Sequence, residues 1–323
     1  MRRYLIRRLL QFIPVLLGIA LVTFVIVRLA PGDPASLLVD VTVLSREELE
    51  RFRRQLGLEA ALPEQFVRMV GELATGQLHS FRTGQPVLTI VAERLPVTAA
   101  LLLGALALAL LAGIPLGVVS AVRPYGRLDA WLTVAALGGL SMPSFWFALI
   151  LMYVFAGLLR VLPASGIGPA TTLDYRVVQM VPHFVLPTVV LGGAILPAIM
   201  RYVRSGMLDA LGQDYVRTAR GKGLPERRVV YRHALRNALL PVVTVVGMLL
   251  PILIGSTAVI ESVFAMPGIG RLAVEAALNR DYPTIMTLNF LTAAVVLVAT
   301  VAVDVSYVLL DPRIRLGGGV RGE

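Results

Sequence analysis

Few of the side chains that can do covalent chemistry stand at a spacing that would let them act together. The three histidines, His79, His183 and His233, are far apart and cysteine is absent, so neighbouring ligands cannot assemble a Cys/His metal site or a disulfide framework. Gly221 and Lys222 look like part of a phosphate-binding loop, but Gly223 stands where Ser or Thr is needed and the upstream glycine is missing. Nucleotide chemistry is therefore not expected on this chain. Any Ser/His/Asp trio drawn from it would be arbitrary. Asp304 is the clearest carboxylate inside an apolar run, seven residues before Asp311 and so about 10 Å from it along a helix. An intramembrane acid is a functional candidate, but a single one is a poor proton relay, and a structural hydrogen-bonding role is expected.

The most informative polar segment is 204–236, which includes "DALGQDYVRTARGKGLPERRVVYRHALR". Its chemistry is that of docking, not of reaction. From Asp209 to Lys222 it can form a short helix, with acid near the start, cations toward the end, Gly223 as a stop and Pro225 beyond. Thr218, Ala219, Gly221 and Gly223 supply small side chains that would let it sit in another protein's groove. Arg227, Arg228, Arg232 and Arg236 then lead into the next apolar run. A basic helix lying on anionic lipid is the alternative reading, and the residues alone leave both open.

The elements that position this segment belong in lipid. Of 323 residues, 57% are hydrophobic and 15% charged, with a mean hydropathy of +0.78, too apolar for an ordinary soluble domain. Apolar runs long enough to span predict six helices: Leu9–Val27, Pro96–Val122, Ala130–Leu159, Val177–Met200, Asn237–Ile260 and Tyr282–Val303, the last continuing as helix to about residue 310. The formal charge of +10 sits in arginines flanking these runs, which is a topology signal and not a nucleic-acid-binding face. Arg2, Arg3, Arg7, Arg8, Arg123, Arg127, the arginines of 204–236, and Arg313, Arg315 and Arg321 place both termini in the cytoplasm. The N-terminal run is expected to stay as the first span, because it is longer than a signal core and Arg28 stands where a small residue should precede cleavage.

The predicted organisation is a cytoplasmic N-terminus and first helix (1–30), an extracytoplasmic domain (31–95), a membrane core (96–311) and a cytoplasmic tail (312–323). In the outer domain a short helix is expected over Ser45–Leu56, with Ser45 as N-cap and Gly57 as stop. Pro14, Pro115, Pro143, Pro187, Pro197, Pro241 and Pro251 fall inside or near the ends of the spans, as packing kinks or as hinges. Gly113 and Gly117 form a GxxxG pair that permits close helix approach.

The segment Asp214–Leu224 with Arg232–Thr244 resembles the "EAA" loop of binding-protein-dependent ABC importer permeases, in the dipeptide/oligopeptide branch of B-type subunits. Arg217, Thr218 and Ala219 take the places of the Glu-Ala-Ala triplet, and Gly223 that of its following glycine. Gly221 stands where the branch more often has alanine. "LAPGDP", "ERLPVTAALLL", "MPSFWFALILMYVF", "LPASGIG", "VIESVFAMPGIGRL", "NRDYPTIM" and "LLDPRIR" follow the branch in order. "GQLHS" (76–80) departs from its usual Gly-Asp-Leu-Gly, with Gln77 in the place of the acid.

The resemblance implies an all-α, polytopic type I importer permease fold in a bacterial or archaeal inner membrane. The expected partners are a second, similar permease subunit, two ABC ATPase subunits that carry ATP and magnesium, an extracytoplasmic solute-binding protein, and membrane lipid. Asp214, Tyr215, Arg217, Thr218, Ala219, Lys222, Gly223 and Leu224 would form the coupling helix docked on one ATPase, and no cofactor or nucleic acid is expected. Cargo would be peptides or a related small solute; the residues that bind it are not legible. Against this stands an ATP-independent secondary transporter or channel, which should show coupling carboxylates or repeated halves with broken helices. A membrane-embedded enzyme would need polar residues gathered at one depth.

Overall fold

A computed structural model describes residues 2–29, 46–55, 57, 59–166 and 177–310. The helices in chain order are α1 (Arg2–Leu29), α2 (Arg46–Gln55), α3 (Leu62–Thr75), α4 (Val87–Val122), α5 (Arg127–Ser141), α6 (Ser144–Leu151), α7 (Val177–Leu211), α8 (Asp214–Gly221), α9 (Leu240–Val263), α10 (Ile269–Leu278) and α11 (Tyr282–Leu310). A π-helical stretch, Met152–Leu158, extends α6; a short α-turn (Glu226–Arg228), a π-helical stretch (Val229–Ala234) and a second α-turn (Leu235–Ala238) lead into α9. Among the described residues the β structure is one isolated bridge between His79 and Pro86. The protein is thus all-α, as expected.

Among the described residues five helices are long and apolar enough to cross a membrane, six if the bent pair α5–α6 makes one span. The predicted third span is not a straight rod: its two parts meet at 103°. The turn falls at Met142 (φ −87°, ψ 130°) and Pro143, since proline lacks an amide donor and forces the residue before it out of the helical region. Pro14, Pro115, Pro187, Pro197 and Pro251 lie within continuous helices and Pro241 at the start of α9, so of the seven only Pro143 and Pro241 stand at helix boundaries. Ser45 lies outside the described residues; Gly57 does stop α2's region with φ 65°.

The helices fall into two units. The first draws on Met1–Thr98 and Pro267–Val298. Its core packs Leu78, Val87, Ile90, Val91, Leu272 and Leu288 together, which explains why α4 begins at Val87 and not at Pro96: its first turns are buried in this core and gain more than the later proline costs. The Thr98 hydroxyl accepts the Ile269 amide at 2.8 Å, satisfying a donor at the start of α10 that no local cap reaches. Asp281 organises the 77–86 turn: Ser80 Oγ and Thr284 Oγ1 donate to its Oδ2 at 2.5 and 2.7 Å, and the Phe81 amide to its Oδ1 at 2.9 Å. The turn that lacks an acid of its own is therefore held by one 200 residues away.

The second unit draws on Ala99–Met266 and Ala299–Glu323, with α7 at its centre against α5, α6 and α9. Small residues let α4 approach α7: a Cβ on Gly117 would come within 2.7 Å of the Met200 carbonyl oxygen and the Val203 Cβ, and one on Gly113 within 3.1 Å of Ile199. The GxxxG pair serves contact inside the chain. Because real Cβ atoms do not approach that closely, Gly117→Ala should destabilise by about 1–3 kcal/mol. Gly138→Ala, with open space around the new methyl, should not, and the melting temperatures of the two detergent-solubilised variants give the comparison.

Candidate functional site

The docking segment hangs from the end of α7. Apolar-run counting ends the fourth span at Met200, but the helix continues 11 residues to Leu211, about 16 Å further, because Val203, Met207 and Ala210 keep one face buried while arginines occupy the other. Gly206 brings this extension against the turn before α9: a Cβ there would lie 2.9 Å from the Ala238 carbonyl oxygen. At Gly212 and Gln213 the helix ends; Gln213 is extended (φ −77°, ψ 152°) and begins α8. The single helix expected from Asp209 to Lys222 is thus two, divided where glycine and an extended residue break the ladder.

Buried side chains fix the rotation of α8. Val216 and Ala219, one turn apart, are buried, and α8 packs against the π-helical stretch, whose Val229, Val230 and Ala234 are likewise buried. Asp214, Tyr215, Arg217, Thr218, Gly221 and Lys222 are exposed, and nothing lies within 4 Å of a Cβ placed on Gly221 or Gly223. Ala219 does not belong to the outward face; the small outward residues are Thr218, Gly221 and Gly223.

The helix ends in a two-bond cap. The Leu224 amide donates to the Ala219 carbonyl at 3.3 Å and the Gly223 amide to the Arg220 carbonyl at 2.9 Å, with Gly223 left-handed at φ 72°, a conformation glycine adopts without strain. Pro225 then prevents continuation. Arg220 closes the turn by gripping Glu226 with two bonds, 3.1 Å from Nε to Oε2 and 2.6 Å from Nη2 to Oε1. The bonds from Arg220 hold the Glu226 carboxyl below the usual glutamate range, so the clamp is complete at neutral pH and is lost only as the pH falls through that lowered value. Thr218 returns its hydroxyl to the Asp214 carbonyl at 2.9 Å, and Arg217 reaches Asp214 at 3.5 Å with both side chains in solvent.

A second polar cluster steadies the unit that carries α8. Asp129, only 4% exposed, accepts two bonds from Arg204, Nε to Oδ1 at 2.8 Å and Nη2 to Oδ2 at 2.7 Å. It also accepts the Tyr125 amide at 2.8 Å and the Ser120 hydroxyl. Arg204 lies over the Tyr125 ring at 5.9 Å, and Tyr125 is itself left-handed at φ 62°. One carboxylate thereby joins α4, the 123–126 turn, α5 and α7. Sequence reasoning passed over this cluster: Asp129 directly follows the apparent loop, and no periodicity links it to an arginine 75 residues on. Asp304 is half-buried near the end of the α11 span and is engaged, not isolated. Among the described residues no group of three or more His, Cys, Asp or Glu side chains could hold a metal.

The family described as "Binding-protein-dependent transport system inner membrane component" matches residues 113–316, and its N-terminal companion matches residues 1–102. The oligopeptide transport system permease protein AppB of Bacillus subtilis (strain 168) is 42% identical over 317 residues, covering 98% of this chain and 100% of that one. A putative peptide permease protein of Brucella suis is 40% identical over 320 residues (98% and 100%). A probable peptide ABC transporter permease protein of Sinorhizobium fredii is 38% identical over 313 (97% and 99%). Among solved structures, a chain of the MetNI methionine ABC transporter in an inward-facing conformation superposes with a TM-score of 0.53 at 18% identity, covering 70% of this chain and 98% of that one, a likeness of fold alone.

Removing Asp129 would leave a guanidinium and two further donors facing a space without an acceptor. Asp129→Ala should cost about 3–5 kcal/mol, read as a lower melting temperature of the solubilised protein. The Asp129→Ala/Arg204→Met pair, which removes both charges, should recover a large part of that loss.

Proposed function

Because the chain belongs to the family of inner-membrane components of binding-protein-dependent transport systems, a multi-pass permease with the type I importer fold, we propose that it is one translocation subunit of an ATP-driven importer of peptides. The names of its relatives support the peptide cargo. In this reading a second permease subunit completes the pathway, two ATPase subunits bind and hydrolyse ATP with magnesium on the cytoplasmic side, and an extracytoplasmic solute-binding protein delivers the cargo. In this reading both termini and α8 are cytoplasmic, which the arginine distribution supports.

The observation that carries the reading is the division of α8 into two faces. One face is packed into the chain's own core, and the other, with Asp214, Tyr215, Arg217, Thr218, Gly221 and Lys222, is presented outward from a rigidly capped end. A helix held this way can transmit force in both directions, because Val216 and Ala219 tie it to the turns that continue into α9, and Gly212 ties it to α7. Nucleotide-driven closure of the ATPases moves the spans only if the docked face has different affinities for the two states. Ala219, Gly223 and Leu224 support the helix: the alanine by packing, the other two through the cap. Asp304 keeps a structural role in α11, and the chain supplies no catalytic or metal-binding residue to the cycle.

Gly221→Trp tests the docking face without touching the cap, since that position is helical and open around its Cβ. In the complex reconstituted with its neighbouring permease, ATPases and binding protein in nanodiscs, the wild type should show ATPase stimulation by cargo-loaded binding protein. The variant should keep its melting temperature but lose stimulation at least about tenfold, equivalent to about 1.4 kcal/mol of coupling. Full stimulation in the variant would move the docking surface elsewhere, and failure of any ATPase to co-purify with wild type would favour an ATP-independent transporter.

A further inference from the structure

The second unit contains a crevice of about 330 Å³ between the end of α4, the start of α5 and the turns that begin at Glu226. Val118, Val122, Leu128 and Val230 line its walls, and Arg123 and Arg227 stand at its rim. Val118 and Val122 belong to the last turns of a helix long and apolar enough to span, and the crevice lies where its apolar run gives way to Arg123. Both arginines are exposed, and among the described residues no carboxylate pairs with either. The acid at the same rim, Glu226, has both oxygens taken by Arg220, so its charge is neutralised and the rim is cationic. Tyr231, 51% exposed, adds an aromatic ring with a hydroxyl, the kind of side chain favoured at the depth of lipid headgroups.

Apolar walls beside two guanidinium groups that no described carboxylate pairs complement one class of occupant. A free anion would use the arginines and leave the walls wet. A zwitterionic lipid would bring a cation to an already cationic rim. A lipid with a net negative headgroup satisfies both parts, and basic pockets between membrane helices hold such headgroups by the same balance of forces. We infer that this crevice is a binding site for one anionic phospholipid of the phosphatidylglycerol type, its phosphate on Arg123 and Arg227 and an acyl chain along Val122 and Leu128. The site goes beyond the transport reading and does not depend on it. Val230 lies in the π-helical stretch on which α8 packs, so a lipid seated here touches the turns that support the docking helix.

The test uses the assembled complex released from nanodiscs of phosphatidylcholine with a minor share of phosphatidylglycerol, with retained lipid counted by native mass spectrometry. Wild type should retain phosphatidylglycerol in preference to phosphatidylcholine, and excess inorganic phosphate should not displace it. Arg123→Gln/Arg227→Gln should weaken retention about tenfold or more with an unchanged melting temperature, while the charge-matched Arg201→Gln/Arg232→Gln at the same end should not. Equal loss in both double variants would reduce the effect to diffuse surface attraction. Displacement by phosphate would make the crevice a free-anion site. Absence of retained phosphatidylglycerol in the assembled wild type would mean that a subunit covers it. Each of these outcomes overturns the proposal.

Discussion

A carboxylate buried where helices change direction must have its charge answered on every side, and Asp129 sets that condition for the second unit. Its four donors come from α4, the turn after it and α7, so it can stay ionised only while those three segments hold their mutual positions. The left-handed backbone at Tyr125, costly for a residue with a side chain, is sustained by the same arrangement. With α7 fixed at Arg204, the seven residues that follow it to Leu211 extend from an anchored point, and α8 is carried at the end of that lever. Packing alone, which is forgiving of small slides, would hold the lever less strictly than a directional pair whose failure strands a charge.

Much of the architecture was legible because lipid imposes simple rules. Unbroken apolar length and flanking arginine identified the six spanning runs, those of α1, α4, α5 with α6, α7, α9 and α11, since a spanning backbone has to satisfy itself. Where those rules fall silent, the sequence misleads. Met142-Pro143 sits in an apolar run that hydropathy treats as continuous, yet the chain turns by 103° there. The first turns of α4 carry Glu93 and Arg94, which look like loop, but Arg94 is paired with Glu275 on α10 at 3.3 Å and the turns are buried by core residues distant in sequence. The α7 extension was hidden for the opposite reason: arginine halts an apolar count, although a helix half in water keeps its pattern only on one side.

The candidate site divides along similar lines. Its ending was readable residue by residue, because Gly223 followed by Leu224 and Pro225 is a local cap signal and the cap formed as such a signal dictates. Its rotation was not. Whether Ala219 faces a partner or the chain's own interior depends on what lies beneath it, and Val229, Val230 and Ala234 can be assigned there only once the intervening turn is folded. The same limit concealed Asp281, whose three bonds to the 77–86 turn and Thr284 replace an acid that the local motif would have led one to seek within the turn.

The π-helical stretch Val229–Ala234 also bears on how the chain tolerates change in length. A π-turn holds one more residue than the α-turn that would cover the same rise, so it stores a single residue of slack between the capped docking helix and the span that follows. Loss of one residue here would convert the stretch to ordinary α-helix with little displacement of its neighbours, whereas the same loss inside α8 would rotate Val216 and Ala219 off the core by about 100°. Length variation among chains built on this plan is therefore best absorbed at this joint, and a lineage that had shed the residue would keep its docking helix in register.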